Sequence, residues 1–161
     1  MGWGMQRSFV DCDPEACTGC QLCELACAGV KEGCFDLELS RIHLVRPDPT
    51  VMMSVTCRLC ENAPCVAACP RLALSTHPEN GTIVPDKVLC TGCGWCIEAC
   101  DFGAIAMDRR TKTVVICDLC AELTNGPRCV EICPKKALDL TTAEGVAQRQ
   151  RNRAVRLLAS M

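Results

Sequence analysis

The chain has 161 residues and a formal net charge of −2. That length suits one domain or two small coupled ones, and the charge leaves no basic footprint for nucleic acid. Its hydrophobic fraction of 49% includes 18 cysteines, while three Phe, two Trp and no Tyr supply all the aromatic bulk. Such a chain has thin material for a core, and its cysteine density marks a scaffold built on what the thiols hold.

The N-terminus, MGWGMQRSFVDCDPEAC, has no apolar leader core and no twin arginine. No run approaches the roughly 18 apolar residues of a membrane span. The expectation is a cytoplasmic protein without direct membrane insertion, unless a partner carries it out. A disulfide framework does not suit that compartment.

Four cysteine groups follow in chain order. The first, CTGCQLCELAC, carries Cys17, Cys20, Cys23 and Cys27. The second, CRLCENAPCVAACP, carries Cys57, Cys60, Cys65 and Cys69. The third, CTGCGWCIEAC, carries Cys90, Cys93, Cys96 and Cys100, and the fourth, CDLCAELTNGPRCVEICP, carries Cys117, Cys120, Cys129 and Cys133. Structural zinc typically takes two C-x2-4-C pairs across a longer gap. The first and third groups instead match the C-x2-C-x2-C-x3-C run of bacterial ferredoxins. A cubane presents three iron corners to one short loop, and its fourth corner points elsewhere. The second and fourth groups keep this pattern with insertions before the third Cys, and both end in Cys-Pro. A zinc-stabilised interaction module is the weaker alternative.

The flanks repeat as well: CPRLAL, CDFGAI and CPKKAL follow the last Cys of the second, third and fourth groups. ALST and TIVP around HPENG read as a hairpin with Asn80-Gly81 at the turn. AIAM and TVVI around DRRTK read as another. Short helices are expected at VAAC, IEAC and VEIC. The fold class is therefore α+β: tandem bacterial-ferredoxin-like units of short helices and β-hairpins around iron–sulfur clusters, plus a C-terminal helix. Residues 1–140 form the cluster domain. Within it, 57–116 look like an inner two-cluster ferredoxin unit.

The tail, TTAEGVAQRQRNRAVRLLASM, reads as an amphipathic, Arg-rich helix over 141–161. Thr141 and Glu144 fit a capping box. Val146, Gln150, Ala154, Leu157, Leu158 and Met161 share one side, and Arg149, Arg151, Arg153 and Arg156 lie off it. This suits a helix folded back on its domain with a solvated basic face, or a docking element for an acidic partner. Cys12 and Cys34 stand outside the groups and read as buried or tolerated free thiols, with a ligand swap or partner contact as the sharper reading. Trp95, between two candidate ligands, reads as a shield packed over a cluster. His43 and His77 read as structural or surface residues. Asp101 puts an acid beside Cys100 where Pro is common.

With the four groups and their x4 and x8 insertions in hand, the chain resembles the four-cluster, ferredoxin-like electron-transfer subunits of multi-subunit oxidoreductases, over about residues 11 to 140. PEACTGCQLCELAC and the following KEGCFDLELSRIHLV are similar to the soluble members. The resemblance implies four [4Fe-4S] clusters with nested ligands: Cys17/Cys20/Cys23/Cys133, Cys57/Cys60/Cys65/Cys100, Cys90/Cys93/Cys96/Cys69 and Cys117/Cys120/Cys129/Cys27. The same resemblance implies that 11–56 with 117–140 form an outer two-cluster unit. Each cluster adds about −2 to the charge. It implies a non-catalytic electron-transfer subunit between a catalytic oxidoreductase subunit and a second redox protein or subunit. A tungsten- or molybdenum-pterin enzyme of the aldehyde oxidoreductase or formate dehydrogenase type is the first expectation, then carbon monoxide dehydrogenase or hydrogenase. Head-to-tail self-association fits a two-ended conductor. A free-standing polyferredoxin shuttle is the alternative.

Overall fold

A computed structural model describes residues 7–161; the first six residues of the N-terminal stretch lie outside them. In chain order the elements are β1 (Phe9–Cys12), α1 (Leu22–Glu32), a 3-10 turn (Leu37–Leu39), β2 (His43–Val45), β3 (Met53–Val55), α2 (Pro64–Ala67), β4 (Leu74–Thr76), β5 (Ile83–Pro85), α3 (Trp95–Glu98), β6 (Ile105–Asp108), β7 (Thr113–Ile116), α4 (Arg128–Ile132), β8 (Leu138–Thr141) and α5 (Ala143–Ala159). Four two-stranded antiparallel sheets pair β1 with β8, β2 with β3, β4 with β5 and β6 with β7.

The last three pairs are local hairpins built on alternating or fully apolar strands. The first is not local: Phe9 faces Thr141 and Cys12 faces Leu138, so the two ends of the ferredoxin-like body zip together. Apolar burial divides accordingly. One cluster gathers Leu59, Leu74, Ile83, Ile105, Val114 and Ile116 with Cys57, Cys65, Cys96 and Cys117. The other gathers Val10, Ile42 and Leu138 with Cys12, Cys23, Cys27 and Cys129. Cysteines take places in both where a larger domain would use Leu or Phe.

Both inner hairpins form where the alternation put them. In the first, His77 N–H closes on the Thr82 carbonyl at 2.8 Å. The turn is longer than a two-residue Asn-Gly turn: Gly81 takes the left-handed φ of 72°, and Asn80 Oδ1 accepts from the N–H and hydroxyl of Thr82. In the second, Asp108 faces Thr113, and the buried Asp108 carboxylate accepts from Arg110 N–H at 2.8 Å and Nε at 3.2 Å.

The tail is a helix, but two expectations about it change. Its cap is Thr142, whose hydroxyl accepts from Gly145 N–H. A capping box needs Glu or Gln at that third position, and Gly145 fills it, so Glu144 pairs with Arg151 instead. The helix also keeps its arginines exposed without burying its apolar stripe on the body. Arg149 reaches Asp11 and Asp139, and Arg153 reaches Glu15, so guanidinium groups tie it to the body. No residue of α5 is buried, and Leu157, Leu158 and Met161 face solvent. The acidic residues of the body outcompeted a thin apolar stripe for this contact.

Candidate iron–sulfur cluster sites

The third Cys of every group sits second in a helix: Cys23 in α1, Cys65 in α2, Cys96 in α3 and Cys129 in α4. Before the second Cys of every group comes a left-handed residue: Gly19 (φ 65°), Leu59 (φ 49°), Gly92 (φ 66°) and Leu119 (φ 60°). This reversal curls the loop so that three sulfurs face inward. Glycine adopts it without cost and leucine does not. Leu59 is buried, so its packing offsets the backbone strain. At Gly92 a Cβ would also run into the Lys112 carbonyl oxygen.

The repeated flank has a purpose that only geometry reveals. After Cys69, Cys100 and Cys133, the third residue on is left-handed: Leu72 (φ 52°), Gly103 (φ 60°) and Lys136 (φ 49°). The chain then turns back, and the following Ala donates its N–H to the cysteine sulfur: Ala73 to Cys69 at 3.2 Å, Ala104 to Cys100 at 3.5 Å and Ala137 to Cys133 at 3.3 Å. Cys27 departs from this because it lies inside the three-turn helix α1, where the chain runs straight on. Its sulfur takes an N–H from Arg41 instead, at 3.3 Å. Small Ala suits the tight return, and N–H groups aimed at sulfur favour negative charge there.

Three cavities result, each bordered by four cysteines from two groups. One is lined by Cys17, Cys20, Cys23 and Cys133. Another is lined by Cys90, Cys93, Cys96 and Cys69. A third is lined by Cys57, Cys60, Cys65 and Cys100. The remaining four also converge: Cys27 lies in the electrostatic reach of Cys117, Cys120 and Cys129. Among the described residues no three His, Cys, Asp or Glu side chains close on a single metal ion. Four sulfurs that ring a shared cavity without closing on one ion are spread wider than the ligands of tetrahedral zinc, with sulfurs at about 2.3 Å.

Burial pushes the Cys57 and Cys96 thiols up to about 11 and Cys117 up to about 12, and neighbouring cysteine sulfurs add to the rise. Cys129 moves up too, for the same first cause. Four thiolates packed this closely need a cationic core to compensate them. The donor set therefore fits an iron–sulfur cubane in number, type and space.

The sets lie within electrostatic reach of one another in succession: Cys23 acts on Cys129, Cys57 on Cys117, and Cys65 on Cys96. In the first and last sets of that succession, Cys20 and Cys93 are exposed. Beside the fourth group, the almost fully buried Lys31 ammonium pairs with Asp118 at 2.8 Å and with Glu122, and Arg41 joins Asp118 and Glu32. Beside the second group, Arg58 meets Asp11 at 2.6 Å and lies over the Phe9 ring.

One expectation needs correcting at this level. Trp95 is 65% exposed and does not line the cavity beside it; as the first residue of α3 its side chain leaves the helix on the solvent side. Cys12 is buried, and its sulfur accepts from Ser54 N–H at 3.4 Å. Cys34 is half-buried. His43 lies on β2 with burial pulling its pKa down, and His77 closes a hairpin turn. Ser54, which the sequence reading passed over, stands with its hydroxyl 3.4 Å from Cys23 Sγ.

Known proteins bear on the same residues. A family model described as "4Fe-4S dicluster domain" matches residues 49–143. The chain is 39% identical to the YsaA protein of Escherichia coli K12, covering 90% of this chain and 96% of that one. It is 37% identical to the "Aliphatic sulfonate oxidoreductase, polyferredoxin-like subunit" of Pyrococcus furiosus, covering 83% and 76%. With the "Thiosulfate reductase electron transfer subunit PhsB" of Salmonella typhi it shares 33% identity over 78% and 71%. Among solved structures, the BamBC active-site complex of benzoyl coenzyme A reductase aligns with a TM-score of 0.52 at 22% identity, over 85% of this chain and 80% of the other, a likeness of fold. With the family pattern spanning more than half its length and its cysteines grouped around common cavities, the chain belongs to the 4Fe–4S dicluster domain family.

Proposed function

We propose that this chain is a non-catalytic electron-transfer subunit that holds four [4Fe-4S] clusters in the nested sets Cys17/Cys20/Cys23/Cys133, Cys117/Cys120/Cys129/Cys27, Cys57/Cys60/Cys65/Cys100 and Cys90/Cys93/Cys96/Cys69, in that spatial order. The observation that carries this reading is the shared lining of each cavity by three cysteines of one group and one from another. When bound, each cluster accepts or releases one electron at a potential within the wide range of about −700 to +450 mV. The protein's part is to fix the sulfurs, exclude water from the inner sets and aim N–H groups at sulfur. The inner unit over 57–116 then holds the middle-to-far half of the conductor, and 11–56 with 117–140 the near half.

The exposed Cys20 and Cys93 mark the two ends, one for a catalytic oxidoreductase subunit and one for a second redox protein. Relatives named as subunits of a sulfonate oxidoreductase and a thiosulfate reductase support a catalytic partner. A tungsten- or molybdenum-pterin enzyme is the favoured class, ahead of carbon monoxide dehydrogenase or hydrogenase. Among the described residues no helix is long and apolar enough to cross a membrane, which agrees with a subunit working in the cytoplasm.

The test is anaerobic purification of the chain from its own cell. About sixteen iron with matching acid-labile sulfide, and a stoichiometric redox enzyme alongside, are expected. About four zinc and no iron would overturn the cofactor assignment. Full iron loading with no bound enzyme in any fraction would favour a free shuttle.

A further inference from the structure

Ser54 lies in the middle of β3, 5% exposed, at the wall of the cavity lined by Cys17, Cys20, Cys23 and Cys133. Its Oγ stands 3.4 Å from Cys23 Sγ. A ligand thiolate has no proton to give, so the hydroxyl is the donor. The other hydrogen bonds to ligand-position sulfurs described above come from backbone N–H groups. One such donor reaches the last Cys of every group, whether Cys27, Cys69, Cys100 or Cys133. Those donors are common to the four sets and cannot set one apart; among the described residues the Ser54 hydroxyl is added at one set alone.

The serine is also held to its task. Across the β2–β3 hairpin it faces Leu44, and its own N–H donates to the buried sulfur of Cys12 at 3.4 Å. Cys12 on β1, whose sulfur lies beside those of Cys17 and Cys23, thus holds the strand while the hydroxyl points at Cys23. This assigns the extra thiol a place that a tolerated surface cysteine would not have.

We propose that Ser54 is a positioning residue that raises the reduction potential of the cluster held by Cys17, Cys20, Cys23 and Cys133, through its hydrogen bond to Cys23 Sγ. Reduction adds one electron and places more negative charge on the sulfurs. A hydrogen bond to sulfur strengthens with that charge and so favours the reduced form. Ser54 keeps its proton throughout, so the step is electron uptake alone, with an external one-electron reductant as the source. The consequence is directional: electrons gain a downhill end at this set, next to exposed Cys20.

The inference rests on the ligand set proposed above, and the experiment separates the two. The full chain, loaded with iron and sulfide, is titrated with a one-electron reductant and followed by electron paramagnetic resonance. For Ser54→Ala, one midpoint is expected to fall by a tenfold change in its equilibrium, about 59 mV, with the other three unmoved. Ser54→Thr, which keeps the hydroxyl, is expected to restore most of it. A second readout is independent of the variant's folding: in the wild-type chain, one reduced cluster is expected to carry a coupled exchangeable proton, replaced by deuterium in heavy water, beyond the backbone N–H couplings common to all four sets. Sixteen iron with four unmoved midpoints, or no such coupled proton in the wild type, overturns the role of Ser54. A wild-type chain with only about twelve iron, and with Cys17→Ser losing none of it, overturns the ligand set and the proposal with it.

Discussion

At the scale of the residue, the backbone conformation before each second cysteine is the exacting requirement. Gly92 has both a left-handed φ and the Lys112 carbonyl where a Cβ would go. Gly103 has the left-handed φ but open space around it. Gly92→Ala is therefore expected to cost more than about 2 kcal/mol and to loosen the Cys90/Cys93/Cys96/Cys69 set, while Gly103→Ala costs about 1 kcal/mol from backbone strain. Chemical unfolding and iron content of the two variants check the contrast. Asp101 is a second case. Its residue lines the cavity of Cys57, Cys60, Cys65 and Cys100. A carboxylate there disfavours adding an electron, so Asp101→Asn is expected to raise one midpoint in a redox titration.

At the scale of the element, the cysteine spacing made the loops, short helices and inner hairpins legible, because each is encoded within a few residues. What failed was decided by contacts from far along the chain. The Arg-rich tail was read from its own periodicity, yet Asp11, Asp139 and Glu15 determined which side faces the body. The Thr141–Thr142 choice turned on which threonine left Glu at the capping position, a one-residue shift that the sequence motif does not resolve. Trp95 was assigned by its neighbours in sequence, but a helix turns its first residue away from the ones that follow. Those tail contacts are exposed ion pairs, so Arg149→Ala is expected to shift stability by less than about 1 kcal/mol. The β6–β7 hairpin is different, since Asp108 is buried. Its hydrogen bonds to Arg110 hold the carboxyl down at about 2, below its usual 3.8. A folded-state value below the unfolded one gives stability that is present above pH 3.8 and lost as pH falls through about 2. Asp108→Asn is expected to cost on the order of 1–2 kcal/mol at neutral pH, and the gap to wild type should close on acidification.

At the scale of the whole molecule, the nested sulfur sets make stability and cofactor content a single quantity. Large apolar residues are few, and cysteines occupy both apolar clusters. Cys133→Ser is expected to lower iron content by about a quarter and to leave the Cys57–Cys100 and Cys69–Cys96 sets intact, by metal analysis and paramagnetic resonance. The membership of the proposed sets is what the resemblance to four-cluster ferredoxin-like subunits implies, and three shared cavities are consistent with it. Their succession was not legible in the sequence, because no local signal reports that Cys23 lies within reach of Cys129 or Cys57 within reach of Cys117.

The pairing of β1 with β8 carries a consequence for how the protein is made. Phe9 and Val10 leave the ribosome before the first cysteine group, but their partners Thr141 and Leu140 only after the last. On the proposed ligand sets, both inner cofactors have all their thiols once Cys100 is out, whereas one outer set waits for Cys129 and the other for Cys133. Maturation should then run from the Cys93 end of the conductor toward the Cys20 end. A nascent chain arrested after residue 116 is expected to take up two cofactors, and the early cysteines Cys17, Cys20 and Cys23, of which Cys20 is exposed, are the ones that wait longest.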